Sequence, residues 1–260
     1  MTPQKMIILA AGEGQRLRPL TADRPKCLVE VGGKPLIDWQ IETAERLGIR
    51  DITVVTGYRA ERVGDRGQRR RHNPDYATTN MVETLWRARR EFHGEVIISY
   101  GDILYEDSVL QALIDSAAPI SVIVDLAWRS YWEARFSDPL RDAETLRLDH
   151  EGRILEIGQK PLTMDEIQGQ YIGLLKFRGQ GLEQLQQVYQ RLKVGGVVAH
   201  GARPFEKMYM TDLLQAIIEA GHEVRAVPIR RKWLEIDSLD DYALANHGVR
   251  PRPDGLQIVV

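Results

Sequence analysis

Leu9-Ala10-Ala11-Gly12-Glu13-Gly14-Gln15-Arg16-Leu17-Arg18-Pro19-Leu20-Thr21, continued by Arg24-Pro25-Lys26-Cys27-Leu28, is the stretch that decides the fold. It leaves a continuous apolar run, Met6 to Ala10, of the type that forms buried parallel strands. Small residues at 10–12 and Gly14 let a phosphate or a base approach the backbone closely, with N–H groups facing the anion. Arg16 supplies a planar fork and Lys26 a compact point charge, so the pair can neutralise several phosphate charges. Two familiar phosphate loops fail on spelling: the dinucleotide fingerprint needs glycine where Leu17 stands, and no Gly-Lys-Ser/Thr is present. Gly12 and Gly14 taken alone also fit a plain strand-to-helix turn.

Outward from this loop, the first 125 residues alternate apolar runs with amphipathic segments. Pro35 to Leu47 reads as a helix, with Leu36, Ile37, Ile41, Ala44 and Leu47 at helical spacing and Gly48 past its end. Ile52–Thr56, Val96–Tyr100 and Ile120–Val124 read as strands, and Asn80–Phe92 and Val109–Ser116 as helices. This alternation implies an α/β fold with a mostly parallel sheet and helices on both faces. Leu126 to Ala143 shows no clear period. Thr145–Leu148 and Arg153–Ile157 flank a hairpin turn at His150-Glu151-Gly152. Gln170–Phe177 and Val224–Ile229 are further strands, Trp233–Ile236 a short one, and Leu182–Leu192, Tyr209–Ala220 and Leu239–Asn246 helices. We expect one domain over 1–247, with a nucleotide-binding half at 1–125, an acceptor-binding half at 126–236, and an extended tail at 248–260.

Composition narrows the function classes. A net charge of −2 disfavours a general nucleic-acid coat, and 43% hydrophobic residues suffice for a real core. The single cysteine, Cys27, excludes an intrachain disulfide framework and a multi-cysteine metal site. No apolar run is long enough to cross a bilayer, and the N-terminal apolar stretch is too short for a signal-peptide core, so the expected compartment is the cytoplasm.

The 20-residue string from Leu9 resembles the signature of the nucleotidyltransferases that make NDP-sugars and CDP-alcohols, L-A-A-G-x-G-x-R-L-x-P-L-T-x-x-x-P-K, at every fixed position. The resemblance implies a Rossmann-like nucleotidyltransferase fold of the GT-A type with a small acceptor-binding β elaboration. It also implies a nucleoside triphosphate, a divalent metal (Mg²⁺) and a phosphorylated acceptor. It assigns Leu9, Ala10, Ala11, Gly12 and Gly14, with Gly57, Tyr58 and Tyr100, to nucleotide binding, and Arg16 and Lys26 to the phosphates.

Two aspartates stand at expected strand ends, Asp102 in Ser99-Tyr100-Gly101-Asp102 and Asp237 in Trp233-Leu234-Glu235-Ile236-Asp237-Ser238. Ligands bind beyond the carboxyl ends of strands in open α/β sheets, and Mg²⁺ takes one or two carboxylates plus substrate phosphates. Asp237 also suits a helix N-cap before Ser238-Leu239. The resemblance assigns Asp102 and Asp237 as metal ligands, and Arg16, Lys26 and Asp102 as the catalytic set.

Asn73-Pro74-Asp75-Tyr76-Ala77-Thr78-Thr79-Asn80-Met81-Val82-Glu83-Thr84-Leu85 is similar to the cytidylyltransferase branch, which includes phosphocholine and phosphoglutamine cytidylyltransferases. Asn80 and Thr84 are four apart and share a helix face. Asn80 either reads the cytosine edge or ribose, or caps the helix. The Arg66–Arg71 run departs from the family pattern and reads as a solvated edge. The family places the acceptor over the region after the fourth strand, where Arg129, Lys160, Glu166, Gln170 and Tyr171 are the acceptor-binding candidates. Lys160 lies in Gln159-Lys160-Pro161, which resembles an E-K-P string whose lysine binds the acceptor phosphate. Glu166 and Asp142 suit an amino or ammonium acceptor. Trp128, Tyr131 and Trp132 either stack on a ligand or form a packed flap.

The expected activity is Mg²⁺-dependent transfer of CMP from CTP to a small phosphorylated or phosphonate acceptor, for capsule or other cell-surface polysaccharide modification. The expected partners are CTP and that acceptor, with no nucleic acid, no membrane, and a homodimer as the candidate assembly. The alternative is a sugar-1-phosphate nucleotidyltransferase using UTP, dTTP or GTP. A non-catalytic relative would have lost one of Arg16, Lys26, Asp102 or Asp237, and a glycosyltransferase of similar fold would show a D-x-D motif.

Overall fold

The structure is a computed structural model and describes residues 4–195 and 203–259. Its centre is a sheet of seven strands: β1 (Gln4–Ala10), β2 (Asp51–Thr56), β3 (Arg69–His72), β4 (Glu95–Tyr100), β5 (Ile120–Asp125), β6 (Gln170–Arg178) and β7 (Arg225–Ile229). Their order across the sheet is β7-β5-β6-β4-β1-β2-β3. All neighbours run parallel except β6, which is antiparallel to both β4 and β5.

Both faces of the sheet are covered, which explains the unbroken apolar runs. Side chains alternate along β1. Met6 and Ile8 join a core with the helix Leu36–Arg46, whereas Ile7 and Leu9 join a second core with Met81–Trp86, Gln180–Gly195 and Met210–Glu219. The helices Asp107–Asp115 and Trp128–Arg135 pack into the first core. Among the described residues, no helix is long and apolar enough to cross a membrane.

Several local expectations change. The segment 126–143 contains the helix Trp128–Arg135, whose buried face is Trp128, Tyr131 and Trp132 together with Arg135. A charged residue in that stripe hides the apolar period. The helix expected over Asn80–Phe92 is α-helical only over Met81–Trp86 and then tightens, with Arg87 N–H bonding the Thr84 carbonyl at 3.2 Å and Ala88 N–H that of Leu85 at 2.9 Å.

The arginine run forms the edge strand β3. Arg66 pairs with Asp38, Arg69 with Asp51 and Arg71 with Glu91, so these charges face carboxylates as well as water. The tail is not simply extended. Val249–Arg252 and Gly255–Ile258 pair antiparallel, Val249 and Leu256 enter the first core, and Ile258 N–H donates to Glu106 at 2.9 Å. Apolar residues in the tail, unread as a period because prolines interrupt them, fold it back.

Candidate active site

A two-stranded ribbon outside the main sheet brings the aspartates together. Ile103–Tyr105 pairs antiparallel with Trp233–Glu235, placing Ile103 opposite Glu235, and Ile236 N–H donates to the Asp102 carbonyl at 3.0 Å. Asp102 and Asp237 therefore lie side by side.

Each is held by its own support. Gln40, fully buried on the first helix, donates to the carbonyls of Tyr100 at 2.9 Å and Ile103 at 2.8 Å, and fixes the turn that carries Asp102. Gly101 sits in that turn with its N–H on the Leu9 carbonyl. A Cβ there would come within 2.7 Å of that oxygen, so only glycine allows the approach. Asp237 is not the cap of the last helix. Ser238 is, accepting from Asp241 N–H at 3.1 Å, a contact worth about 1 kcal/mol. Asp237 is thus left for the site.

The glycine loop delivers the basic partners. Gly14 has a left-handed backbone (φ 66°), and a Cβ on it would stand 3.0 Å from Lys26 Cβ. Thr21 Oγ1 donates to the Gly14 carbonyl at 2.8 Å, and Lys26 N–H to that of Gly12 at 3.4 Å. The chain doubles back so that Lys26 lies beneath the loop. Its ammonium donates to Asp102 Oδ2 at 2.6 Å and to Asp237 Oδ1 at 2.5 Å. Arg16, more exposed, pairs with the other oxygen of Asp237. All four residues expected to handle phosphate and metal therefore meet at one point.

The residues also suit a divalent cation. Asp102 Oδ1 is buried and has no hydrogen-bond partner, and Lys26 already occupies the space between the two carboxylates with positive charge. Among the described residues no group of three or more His, Cys, Asp or Glu side chains could hold a metal by itself. An ion here would complete its shell with phosphate oxygens and water, the usual habit of Mg²⁺.

Two cavities adjoin this cluster and share Met81 and Tyr100 as a partition. The first, about 160 Å³, is lined by Leu9, Ala11, Gly12, Tyr76, Thr79, Asn80, Thr84 and Asp102 besides the partition. Of the two parts foreseen for Asn80, the structure shows the helix cap. Its Oδ1 accepts from Met81 N–H at 2.9 Å as the helix cap, while the residue lines the cavity. Thr84 is steadied by buried Asn73, whose amide donates to its hydroxyl at 3.0 Å. Ala10 is buried in β1, and Gly57 and Tyr58 lie behind the loop, where Tyr58 N–H donates to the Ala11 carbonyl at 3.1 Å. They shape the first cavity without lining it.

The second cavity, about 270 Å³, is walled by Tyr100, Trp132, Tyr171, Tyr209 and Trp233 and carries Asp142, Glu144, Gln170 and Glu235. Among the described residues that line it there is no Lys, Arg or His. Burial pushes the Glu144 carboxyl up to about 7; a Thr211 hydrogen bond and Arg203 act the other way, and Asp212 and Asp142 add to the rise. Burial also raises Glu235, against the pull of Arg135 and Lys26.

Of the five acceptor candidates, Gln170 and Tyr171 line this cavity. The other three lie elsewhere. Arg129 is exposed and pairs with Glu133 at 2.8 Å. The Lys160 ammonium turns to the Leu140 carbonyl. Glu166 accepts from Leu162 N–H at 2.6 Å and serves a capping box with Thr163. The three aromatics after β5, Trp128, Tyr131 and Trp132, are buried, and Trp132 alone among them reaches the cavity, with its Nε1 donating to Asp142 at 3.1 Å.

Glu235, Tyr209 and Thr211 were not singled out from sequence. Glu235 had a signal: strand alternation places Trp233, Glu235 and Asp237 on one face. Tyr209 and Thr211 stand in Met208-Tyr209-Met210-Thr211, which is similar to the cytidylyltransferase subgroup, but that resemblance gave them no role, and they reach the cavity from the start of a helix that reads as core.

Comparison with known proteins follows the same lines. A family model described as "MobA-like NTP transferase domain" matches residues 6–153. A CTP:phosphoglutamine cytidylyltransferase of Campylobacter jejuni is 41% identical over 246 residues, covering 90% of this chain and 96% of that protein. A choline-phosphate cytidylyltransferase of Streptococcus pneumoniae is 39% identical over 107 residues, 40% of this chain and 47% of that protein. Among solved structures, a CTP:phosphocholine cytidylyltransferase from Streptococcus pneumoniae superimposes with a TM-score of 0.71 at 23% identity, covering 94% of this chain and 98% of that one. An inositol-1-phosphate CTP transferase from T. maritima gives 0.70 at 22% identity, covering 93% and 94%. At such identities the two structures speak to the fold.

Proposed function

Because this chain belongs to the MobA-like NTP transferase family and is a nucleotidyltransferase, we propose that it transfers CMP from CTP to a small phosphorylated or phosphonate acceptor bearing a cationic nitrogen. The observation that carries this reading is the arrangement of two cavities about one charged cluster. Asp102 opens on the first, Glu235 on the second, and Lys26 bridges Asp102 to Asp237 between them. The first cavity takes the nucleoside, with the amide of Asn80 as base or ribose reader. The Campylobacter jejuni relative, named for CTP and matched over nearly its whole length, supports cytosine as the base.

An acceptor phosphate oxygen attacks the α-phosphorus in line, the bond from that phosphorus to the bridging oxygen breaks, and pyrophosphate leaves. A phosphate dianion is already nucleophilic at neutral pH, so the chain needs no general base and works by positioning and charge neutralisation. Arg16 and Lys26 hold the departing phosphates. Asp102 and Asp237 would hold the magnesium ion, which supplies further neutralisation at the α-phosphate. The activated product suits decoration of a capsule or other cell-surface polysaccharide.

The second cavity sets the acceptor class. Asp142 and Glu144 among aromatic rings, with Glu235 ion-paired to Arg135 in the wall and no basic side chain among the described residues that line the space, favour a cation by charge and by ring quadrupole. The test is a pyrophosphate-release screen crossing CTP, UTP, GTP, ATP and dTTP with phosphocholine, phosphoethanolamine, glycerol phosphate and glucose-1-phosphate. CTP with the cationic acceptors is expected to lead. Preference for glucose-1-phosphate with UTP or dTTP would overturn the reading.

Glu144 adds a pH signature. Its carboxyl is neutral below about 7 and anionic above, so the site attracts a cation more strongly as pH rises through that value. KM for phosphocholine is expected to fall between pH 6 and pH 8 relative to KM for glycerol phosphate, which has no cationic nitrogen. Both acceptors carry a titrating phosphate, and comparison of the ratio with that of Glu144→Gln isolates the carboxyl. In Glu144→Gln the ratio should become flat; a flat ratio in the unaltered protein would refute the assignment.

A further inference from the structure

The helix Trp128–Arg135 ends on an arginine that is 1% exposed at its side chain, an unusual place for a permanent charge. Arg135 Nε donates to Asp241 Oδ1 at 2.7 Å and Nη2 to Asp241 Oδ2 at 3.2 Å. Its Nη1 stands 2.9 Å from Glu235 Oε2. The rings of Tyr131 and Trp132 lie 5.1 and 5.3 Å from the guanidinium carbon. One guanidinium thus grips Asp241 with two hydrogen bonds and forms an ion pair with Glu235, two carboxylates from different parts of the site.

Asp241 passes the constraint on. Its Oδ2 also accepts the N–H groups of Asp237 at 3.1 Å and Ser238 at 2.9 Å, so it fixes the turn on which the Asp237 carboxylate is carried. Glu235 faces the second cavity, and its main chain is pinned to the same helix, where its N–H donates to the Tyr131 hydroxyl at 2.9 Å. Arg135 is not among the residues that line either cavity, yet its guanidinium hydrogen-bonds the support of Asp237 and is ion-paired with Glu235.

We propose that Arg135 is a positioning residue for nucleotidyl transfer: through Glu235 it sets the wall that seats the acceptor, and through Asp241 it sets Asp237 against Asp102. This rests on the proposed reading of the two cavities for its consequence in turnover, though not for its consequence at the carboxylate pair. Groups that orient metal-holding side chains typically change affinity or activity by about 10–100-fold when altered.

The test uses the full chain with Arg135→Lys, which keeps the charge and loses the fork. Two quantities are read: binding of Mn²⁺ alone, by paramagnetic resonance, and kcat with KM for nucleotide and acceptor, using the best pair from the substrate screen. Arg135→Lys is expected to weaken Mn²⁺ about tenfold and to lower kcat about thirtyfold, with KM for the nucleotide unchanged. Glu133→Gln, on the exposed face of the same helix, is expected to change neither quantity. Asp241→Asn replaces one accepting oxygen by an amide nitrogen and is expected to reproduce the Arg135→Lys pattern. It carries the test if Arg135→Lys fails to fold.

Unchanged Mn²⁺ binding in a folded variant overturns the inference, as does an equal loss in Glu133→Gln. If the unaltered protein binds Mn²⁺ but transfers no nucleotide with any pair, the proposed function fails, and the Mn²⁺ shift alone decides the inference. If it neither binds Mn²⁺ nor turns over, both fall.

Discussion

Asp102→Asn is expected to lower kcat about a thousandfold or more while leaving a folded protein. The substitution preserves shape and removes one of the two negative charges that converge on Lys26. Asp102 Oδ1 has no hydrogen-bond partner, so the exchange breaks no protein contact at that atom. The fold should tolerate it, because the turn is held through main-chain groups by Gln40 and by Ile236. Asp237→Asn should lose activity to a similar extent, its turn being held by Asp241 through N–H groups. Initial rates of pyrophosphate release, set beside thermal melts by circular dichroism, measure both halves of the expectation. Activity within tenfold of the unaltered protein in either variant would remove these carboxylates from the chemistry.

Lys26→Met should combine a loss of turnover with a loss of stability. The ammonium lies on both carboxylates, where we propose that it also meets the nucleotide's phosphates, and removing one such stabilising contact costs about 10²–10³ in kcat. It is also the counter-ion that keeps Asp102 and Asp237 together. Breaking a buried pair typically costs about 3–5 kcal/mol; partial exposure of both carboxylates brings the expectation to about 1–3 kcal/mol. Adding Asp102→Asn to Lys26→Met should recover stability, because the unbalanced charge is gone, and should recover no activity. A denaturant-melt cycle over the two single variants and the double variant reads this coupling directly. Additive stability changes would show that the ion pair is not what joins the two turns.

The loop from Leu9 to Lys26 was legible because its chemistry is local: small residues, glycines and two basic side chains close in sequence. The two aspartates were legible one at a time. Their meeting depends on pairing of Ile103–Tyr105 with Trp233–Glu235, and no local pattern encodes which distant strand will be the partner. The acidic cavity was harder still. Arg129, Lys160 and Glu166 carry charge in the expected region, yet Arg129 and Glu166 are engaged within one helical turn by Glu133 and Leu162, and Lys160 by the Leu140 carbonyl across the hairpin.

Arg135 illustrates the opposite case. It stands at the end of a stretch without apolar period, and it is buried because Asp241 and Glu235 meet it there. Polar side chains that complete a buried face break the apolar period through which such faces are recognised.

The ribbon that joins the two ends of the site also governs when the protein becomes competent during its synthesis. Lys26 and Asp237 are separated by 211 residues, and the contact between them closes nearly the whole chain. A nascent polypeptide emerging from the ribosome can assemble β1, β2 and β4 long before Asp237 has been made, but it then holds a triphosphate loop with only one of its two carboxylates. Such long-range closure is slow relative to local pairing. Nucleotide turnover is therefore expected only once the strand Trp233–Glu235 and Asp237 have left the tunnel.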